Sequence, residues 1–262
     1  MNDYNKQWPR NYPTSGRSIL EISKEFLDEI EKRQAENFAK AGKIMGDKMI
    51  EGGFVKLIAT GGHTYIPVLD MSDRAGGFVT VDPTLDVSSS TMNGGARSTR
   101  IERVHGYFSA LMDYFHVKKG DVCLIFNNVG ISVAVIDAAL ECKRREATVI
   151  GIGSSIWQED MPKNHHIRHE TKKNFMDIVD LFIDDYNPVG DNVVKIEGFD
   201  RAICPISTIT DAYIVRRIEE ETVKYMLSKG VKPKIWVSSN IISGDKDNAE
   251  YEEEAWHKVK MY

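Results

Sequence analysis

The sequence predicts an α/β domain in which a parallel sheet lies between two layers of helices. Short β runs alternate with helical patterns along the chain, the connectivity of a parallel sheet crossed by helices. Val122-Cys123-Leu124-Ile125-Phe126 and Thr148-Val149-Ile150-Gly151-Ile152 are nearly continuous apolar runs, as strands covered on both faces must be. Size and composition agree: 262 residues, 42% hydrophobic and 28% charged, describe an ordinary folded chain with room for one such domain.

Taken in order, residues 1–17 read as a flexible arm broken by Pro9, Pro13 and Gly16. Ser18 followed by Glu21 is a capping box opening a long N-terminal helix to about Ile50. Phe26, Ile30, Phe38, Met45 and Met49 recur along one face, and Gly52-Gly53 is the stop. Residues 54–59 form the first strand, which ends in the turn Thr60-Gly61-Gly62-His63-Thr64. Further strands are expected over 78–81, 122–126, 148–152 and 181–184, with helices over 133–145 and 206–227. No internal repeat interrupts this pattern, so 18–262 reads as a single domain.

Thirty-four basic residues against 39 acidic ones leave a charge of −5, which offers nucleic acid no attractive field. Cys123, Cys142 and Cys204 have neither a CxxC spacing nor an even count, the usage expected in a reducing compartment. The polar opening lacks the apolar core of a signal peptide, and no window nears the ~20 apolar residues of a membrane span. A cytoplasmic location and no membrane partner are expected.

Open parallel sheets bind ligands at the carboxyl ends of their strands. That rule nominates loops 60–64, 82–100, 127–132 and 153–171. In the first, Gly61 and Gly62 permit close backbone approach, Thr64 adds a hydroxyl, and a following helix would aim free amides at an anion. A plain strand–helix turn explains the same residues. The loop is not a Walker A sequence, and Gly151-Ile152-Gly153 lacks the third glycine of a dinucleotide fingerprint. In the second, Ser98 or Thr99 can cap a helix with Glu102 about a turn inside it, near Arg100 and Arg103. Glu102 is then either a solvated first-turn acid or a carboxylate placed to move a proton. His165, His166 and His169 crowd the last loop. His165 and His169 have an i, i+4 spacing, but no thiolate or acid partner can be placed beside them, so no metal site is expected.

Several ordered strings then point to one family. They are Gly62-His63-Thr64, Arg74-Ala75-Gly76-Gly77, Asp82-Pro83-x-Leu85-Asp86 and Ser98-Thr99-Arg100-x-Glu102-Arg103 with Gly106-Tyr107. Val189-Gly190-Asp191, Pro205-x-Ser207-Thr208, Ser239-Asn240, Gly244-Asp245 and Asn248 continue the series. From about residue 20 to 258 the chain resembles the SIS (sugar isomerase) superfamily, in its single-domain phosphosugar-binding branch. The resemblance implies a three-layer αβα sandwich around a flavodoxin-like five-stranded parallel sheet. It also implies a homodimer or higher homo-oligomer with shared sites, and a sugar phosphate or other anionic sugar as ligand. For an isomerase it implies Glu102 as the base of an enediolate mechanism, and His169 of one subunit or another as the ring-opening group, with His63 as alternate. Arg100 would lie near the anion. No metal and no organic cofactor are implied.

One departure stands out. Where the family's phosphate loop has Ser-x-Ser-Gly-x-Ser/Thr, this chain has Asn127-Asn128-Val129-Gly130-Ile131-Ser132. Hydrogen bonds to a charged group contribute roughly 1.5–3 kcal/mol each, so two lost hydroxyls weaken phosphate binding unless other donors replace them. A less demanding ligand group, backbone amides acting alone, or a non-catalytic binding protein each fit that change. A lyase or deglycase sharing the first proton abstraction is the further alternative.

Overall fold

The computed structural model describes residues 8–260. Five strands form its principal sheet: β2 (Val55–Ala59), β3 (Val81–Thr84), β4 (Val122–Phe126), β5 (Thr148–Gly153) and β6 (Leu181–Asp184). Their spatial order is β3-β2-β4-β5-β6 and every pairing is parallel. Counted from the first sheet strand this is the flavodoxin-like order 2-1-3-4-5, whose direction reverses between β2 and β4.

Period-two alternation sends the strand side chains to two cores. Leu57, Leu124, Ile150 and Ile183 face one side, where Phe38 and Met45 of α1 (Ile19–Ile50) and Ile214 and Ile218 of α7 (Ser207–Ser228) meet them. Tyr65 and Val68 of α2 (Tyr65–Met71) complete that layer. Ile58, Cys123, Ile125 and Val149 face the other side against Phe108 of α4 (Tyr107–Tyr114) and Ile136 and Ala139 of α5 (Val133–Arg144). The expected three-layer sandwich with its long first helix is therefore present. The Ser18–Glu21 capping box opens that helix, the Ser18 amide donating to Glu21 Oε2 at 2.7 Å.

Two sequence expectations are corrected. The strand expected at 78–81 begins at Val81, because Val79 N–H donates to Lys234 O and Phe78 bridges Ile235 in the antiparallel sense. Pro83 then sits in an edge strand, where its missing N–H costs nothing. Residues 8–16 are not a loose arm: Trp8 and Tyr12 are buried against Phe26, and β1 (Thr14–Ser15) pairs with β7 (Asn192–Lys195). Aromatic burial, invisible to a scan for proline and glycine, anchors this stretch. Residues 1–7 of the expected arm lie outside the described residues. β7 also pairs with β8 (Ile203–Pro205), which leads straight into α7.

Shorter helices that the periodicity did not mark fill the connections. α3 (Gly95–Ile101) precedes Glu102, α6 (Ser155–Asp160) follows β5, and α8 (Gly244–Trp256) closes the chain. Asn248 of α8 fastens the preceding segment by pairing with both the N–H and the carbonyl of Val237.

Candidate functional site

The register aligns Ala59, Phe126 and Ile152 at the ends of adjacent strands, so the following turns open at one rim. Between the turns after β2 and β4, at the reversal of strand order, lies a cleft of about 350 Å³. Gly61, Gly62, His63 and Thr64 form one wall, and Asn127, Asn128 and Val129 another. Thr99 and Glu102 enter from α3, Trp157 from α6, and Asp191, Pro205, Ser207 and Thr208 from the approach to α7.

Among the described residues, Glu102 and Asp191 are the two carboxylates lining this space, and Glu102 is anchored through one oxygen. Its Oε1 accepts the Gly62 N–H at 2.9 Å and lies 3.1 Å from the Ser98 hydroxyl, whose one proton it shares with Ser89 O at 2.7 Å. Burial pushes its pKa up from the ordinary carboxylate value, and those two hydrogen bonds partly offset the shift. Oε2 takes no hydrogen bond from the described residues, so the free lone pairs belong to the oxygen a ligand would meet. The local structure differs from expectation. α3 starts at Gly95, not at Ser98 or Thr99, and Glu102 is its C-cap rather than a first-turn acid. Gly94, with φ of 103°, supplies a start that the hydroxyl pattern did not reveal. Glu102 therefore owes its position to Gly62 and Ser98, not to the helix dipole.

The first turn is also built differently from an anion cradle. Thr64 Oγ1 accepts the N–H groups of Thr60 and Gly61 at 3.1 and 3.0 Å, and the Gly62 N–H is given to Glu102. The N–H groups of Thr60, Gly61 and Gly62 thus all serve the protein. Gly62 is nonetheless closely packed, since a Cβ there would stand 2.5 Å from Thr91 Cγ2 and 2.6 Å from Ser98 Oγ, and those side chains would have to turn.

Asn127 ties the two turns together. Its side-chain amide donates to Thr60 Oγ1 at 3.1 Å, and its Oδ1 accepts the Gly130 N–H at 2.7 Å. Asn128 reaches inward, donating to Asp185 Oδ2 at 2.7 Å and Asp211 Oδ1 at 3.2 Å. Burial raises the pKa of Asp211 to about 7, and burial together with the Asp211 charge raises that of Asp185 well above its usual range. Two carboxyls that meet in a dry site share protons rather than ionise together.

Several expected site residues stand elsewhere within the chain. Arg100 is exposed on α3 and Ser132 lies at the start of α5; neither lines the cleft. His169 is buried outside it, with Nε2 3.1 Å from Asp137 Oδ1 and Nδ1 2.9 Å from Thr171 Oγ1. Its neighbour is not His165 but His105, at a ring separation of 5.2 Å. His63, Thr99, Asn127 and Asn128 do meet around the cleft with Glu102. Asp191 and Ser207 line the cleft as well. Asp191 Oδ1 caps α7 by accepting the N–H groups of Ile206 and Ser207 at 3.1 and 2.9 Å. The signal was available in the strings Val189-Gly190-Asp191 and Pro205-x-Ser207-Thr208, which lead into the strongest helical pattern of the chain's second half.

A parallel sheet of this order, with a polar cleft where its direction reverses, defines an α/β protein of the flavodoxin-like kind, whose clefts of this type are the usual place for ligands. The SIS domain profile matches residues 20–154, and the chain belongs to that family. It is 27% identical over 230 residues to a UPF0309 protein of Geobacillus thermodenitrificans, covering 88% of this chain and 90% of the relative. A UPF0309 protein of Listeria innocua is 28% identical over 231 residues, covering 88% and 92%. Similar solved structures include a phosphoheptose isomerase from Francisella tularensis, at TM-score 0.48 and 17% identity over 86% of this chain and 100% of that one. Phosphoheptose isomerase from Neisseria gonorrhoeae aligns at TM-score 0.49 and 15% identity over 77% and 92%. Among the described residues, no helix is long and apolar enough to cross a membrane.

Proposed function

We propose that the chain is a cofactor-independent aldose–ketose isomerase acting on a sugar phosphate or a similarly anionic sugar. The observation that carries this reading is Glu102: a partly buried carboxylate, fixed through Oε1, with Oε2 left for a ligand in the cleft. Membership in the SIS domain family supports a phosphosugar-related function. Moving a proton between C1 and C2 needs one group that accepts and returns it, and donors for the enediolate oxygen. Glu102 supplies the first. His63 and the Thr99 hydroxyl line the same cleft and can supply the second; the presence of His63 on the cleft, with His169 buried outside it, supports His63 as the ring-opening group within one subunit.

The anionic end of the substrate is held near Thr208 and the first turn of α7, where the helix dipole favours negative charge. No lysine or arginine lines the cleft among the described residues, and Asp191 already occupies two amides of that helix start. Phosphate recognition by one chain is therefore weak, and a homodimer with shared sites, as the family resemblance implies, completes it. A cytoplasmic location belongs to the same proposal.

The same charge distribution favours a second reading, a sugar-binding protein without turnover. Thermal-shift screening against sugar phosphates, sulfosugars and free sugars, followed by NMR of each hit in D2O, separates the two. Deuterium appearing at C2 with aldose–ketose interconversion supports the isomerase. Stabilisation with no exchange in any hit overturns it in favour of binding alone. Exchange accompanied by loss of a C3 substituent or an amine would identify a lyase or deglycase instead.

A further inference from the structure

Away from the cleft lining, His105, Asp137 and His169 each present one ligand atom, all lying within 4.8 Å of one another. We propose that these three side chains bind a divalent transition-metal ion of the zinc type. The ion would pin the turn after Glu102 to α5 and to the loop carrying His169. Two imidazoles and one carboxylate are a zinc donor set, with a fourth position open to water, and hard cations such as Mg²⁺ prefer oxygen throughout.

The spacing fits. Ligands bonded to a tetrahedral ion at about 2.0–2.1 Å stand about 3.3 Å apart. His169 Nε2 and Asp137 Oδ1 are already 3.1 Å apart, so the ion replaces the shared proton with little movement of either side chain. His105 is exposed and its ring lies 5.2 Å from that of His169, so it completes the set by side-chain rotation.

The outer contacts also suit a metal site. Asp137 Oδ2 accepts the Gly106 N–H at 2.7 Å, which orients the carboxylate and leaves Oδ1 for the ion. His169 is 5% exposed, and its Nδ1 faces both the Thr171 N–H at 3.1 Å and the Thr171 hydroxyl at 2.9 Å. Without metal, the Thr171 N–H favours the tautomer with its proton on Nε2, donated to Asp137. With metal on Nε2 the ring keeps one proton, now on Nδ1, which gives up the Thr171 N–H and donates to Thr171 Oγ1 instead, the outer-shell bond usual for a ligating histidine.

A simple His169–Asp137 hydrogen bond would need neither the His105 ring nor a cation, and this difference sets the test. The full chain, stripped with a chelator, is titrated with ZnCl2 by calorimetry, and Co²⁺ is added separately to record visible d–d bands. The expected result is one ion per chain with a dissociation constant of about 1 µM or tighter, and four-coordinate cobalt bands. His105→Ala, at an exposed position that keeps the His169–Asp137 bond, should weaken binding at least roughly tenfold, and Asp137→Asn more so. His165→Ala and His166→Ala should leave it unchanged. Absence of saturable binding, or undiminished affinity in His105→Ala, overturns the proposal, as does a loss confined to the His165 and His166 variants.

Discussion

The backbone N–H of Gly62 donates to Glu102 Oε1 across 2.9 Å, joining the turn after β2 to the end of α3 at a single carboxylate. The Thr91 and Ser98 side chains crowd the space that a side chain at residue 62 would take. In Gly62→Ala the new methyl meets Thr91 Cγ2 and Ser98 Oγ, and turning Ser98 aside disturbs its contact with Glu102. Overpacking of this kind costs about 1–3 kcal/mol, and the site should suffer more than the fold. Urea unfolding together with ligand-dependent proton exchange checks this: a modest fall in midpoint is expected beside a large fall in exchange.

The pH dependence of catalysis should follow Glu102. A base works only when deprotonated, so kcat/KM should rise with pH through an apparent pKa above the ordinary carboxylate value, as burial of Glu102 dictates. The Ser98 hydroxyl stabilises the charged form. Ser98→Ala should therefore move the acid limb to still higher pH, and a pH–rate profile of the two proteins measures the displacement.

The pair Asp185 and Asp211 should impose a pH dependence on stability. Both are held uncharged by burial, and Asp211 titrates at about 7 in the fold against 3.8 outside it. As pH rises above the unfolded value, the unfolded chain ionises first and stability falls, until the folded carboxyl ionises near neutrality and the decline levels off. Asn is the neutral isostere, and its Oδ1 can still accept from Asn128. Asp211→Asn should therefore flatten this slope and make the protein more stable than its parent near neutral pH. Unfolding midpoints across pH 4 to 8, compared with the parent, provide the measurement.

Arg168 is buried and its guanidinium donates to Pro162 O, Asn174 Oδ1, Gln158 O and Met161 O, at 2.7 to 2.9 Å. These are neutral acceptors spread around a planar fork, a geometry an ammonium cannot match. Arg168→Lys should cost about 2–4 kcal/mol by leaving buried carbonyls unpaired, with the 158–174 loop exchanging its amides faster. Hydrogen–deuterium exchange of that loop is the direct readout.

Much of this architecture is local chemistry and was legible in the residues. Continuous apolar runs marked four of the five sheet strands, a capping box marked the start of α1, and the rule of strand carboxyl ends led to the turns at 60–64 and 127–132. What escaped depends on partners distant in sequence. Phe78 and Val79 pair with residues 234–235, which moved the strand expected there to Val81–Thr84. Trp8 finds its burial against Phe26, and Asp191 finds its role only when α7 arrives. The helix before Glu102 starts earlier than its hydroxyl pattern suggests, at Gly95 rather than at Ser98 or Thr99. Gly94 begins α3 through a positive φ rather than through a capping hydroxyl. His105 and His169 meet only because α5 brings Asp137 between them.

The most direct measurement compares the parent protein with Glu102→Gln, using the sugar phosphate or related sugar that stabilises the parent most. C2-proton exchange with D2O is followed by NMR while binding is measured in parallel. Binding should persist in the variant while exchange falls by about 10²–10⁴-fold, the contribution of a positioned general base. Exchange continuing at the parental rate in Glu102→Gln would contradict the assignment of that carboxylate.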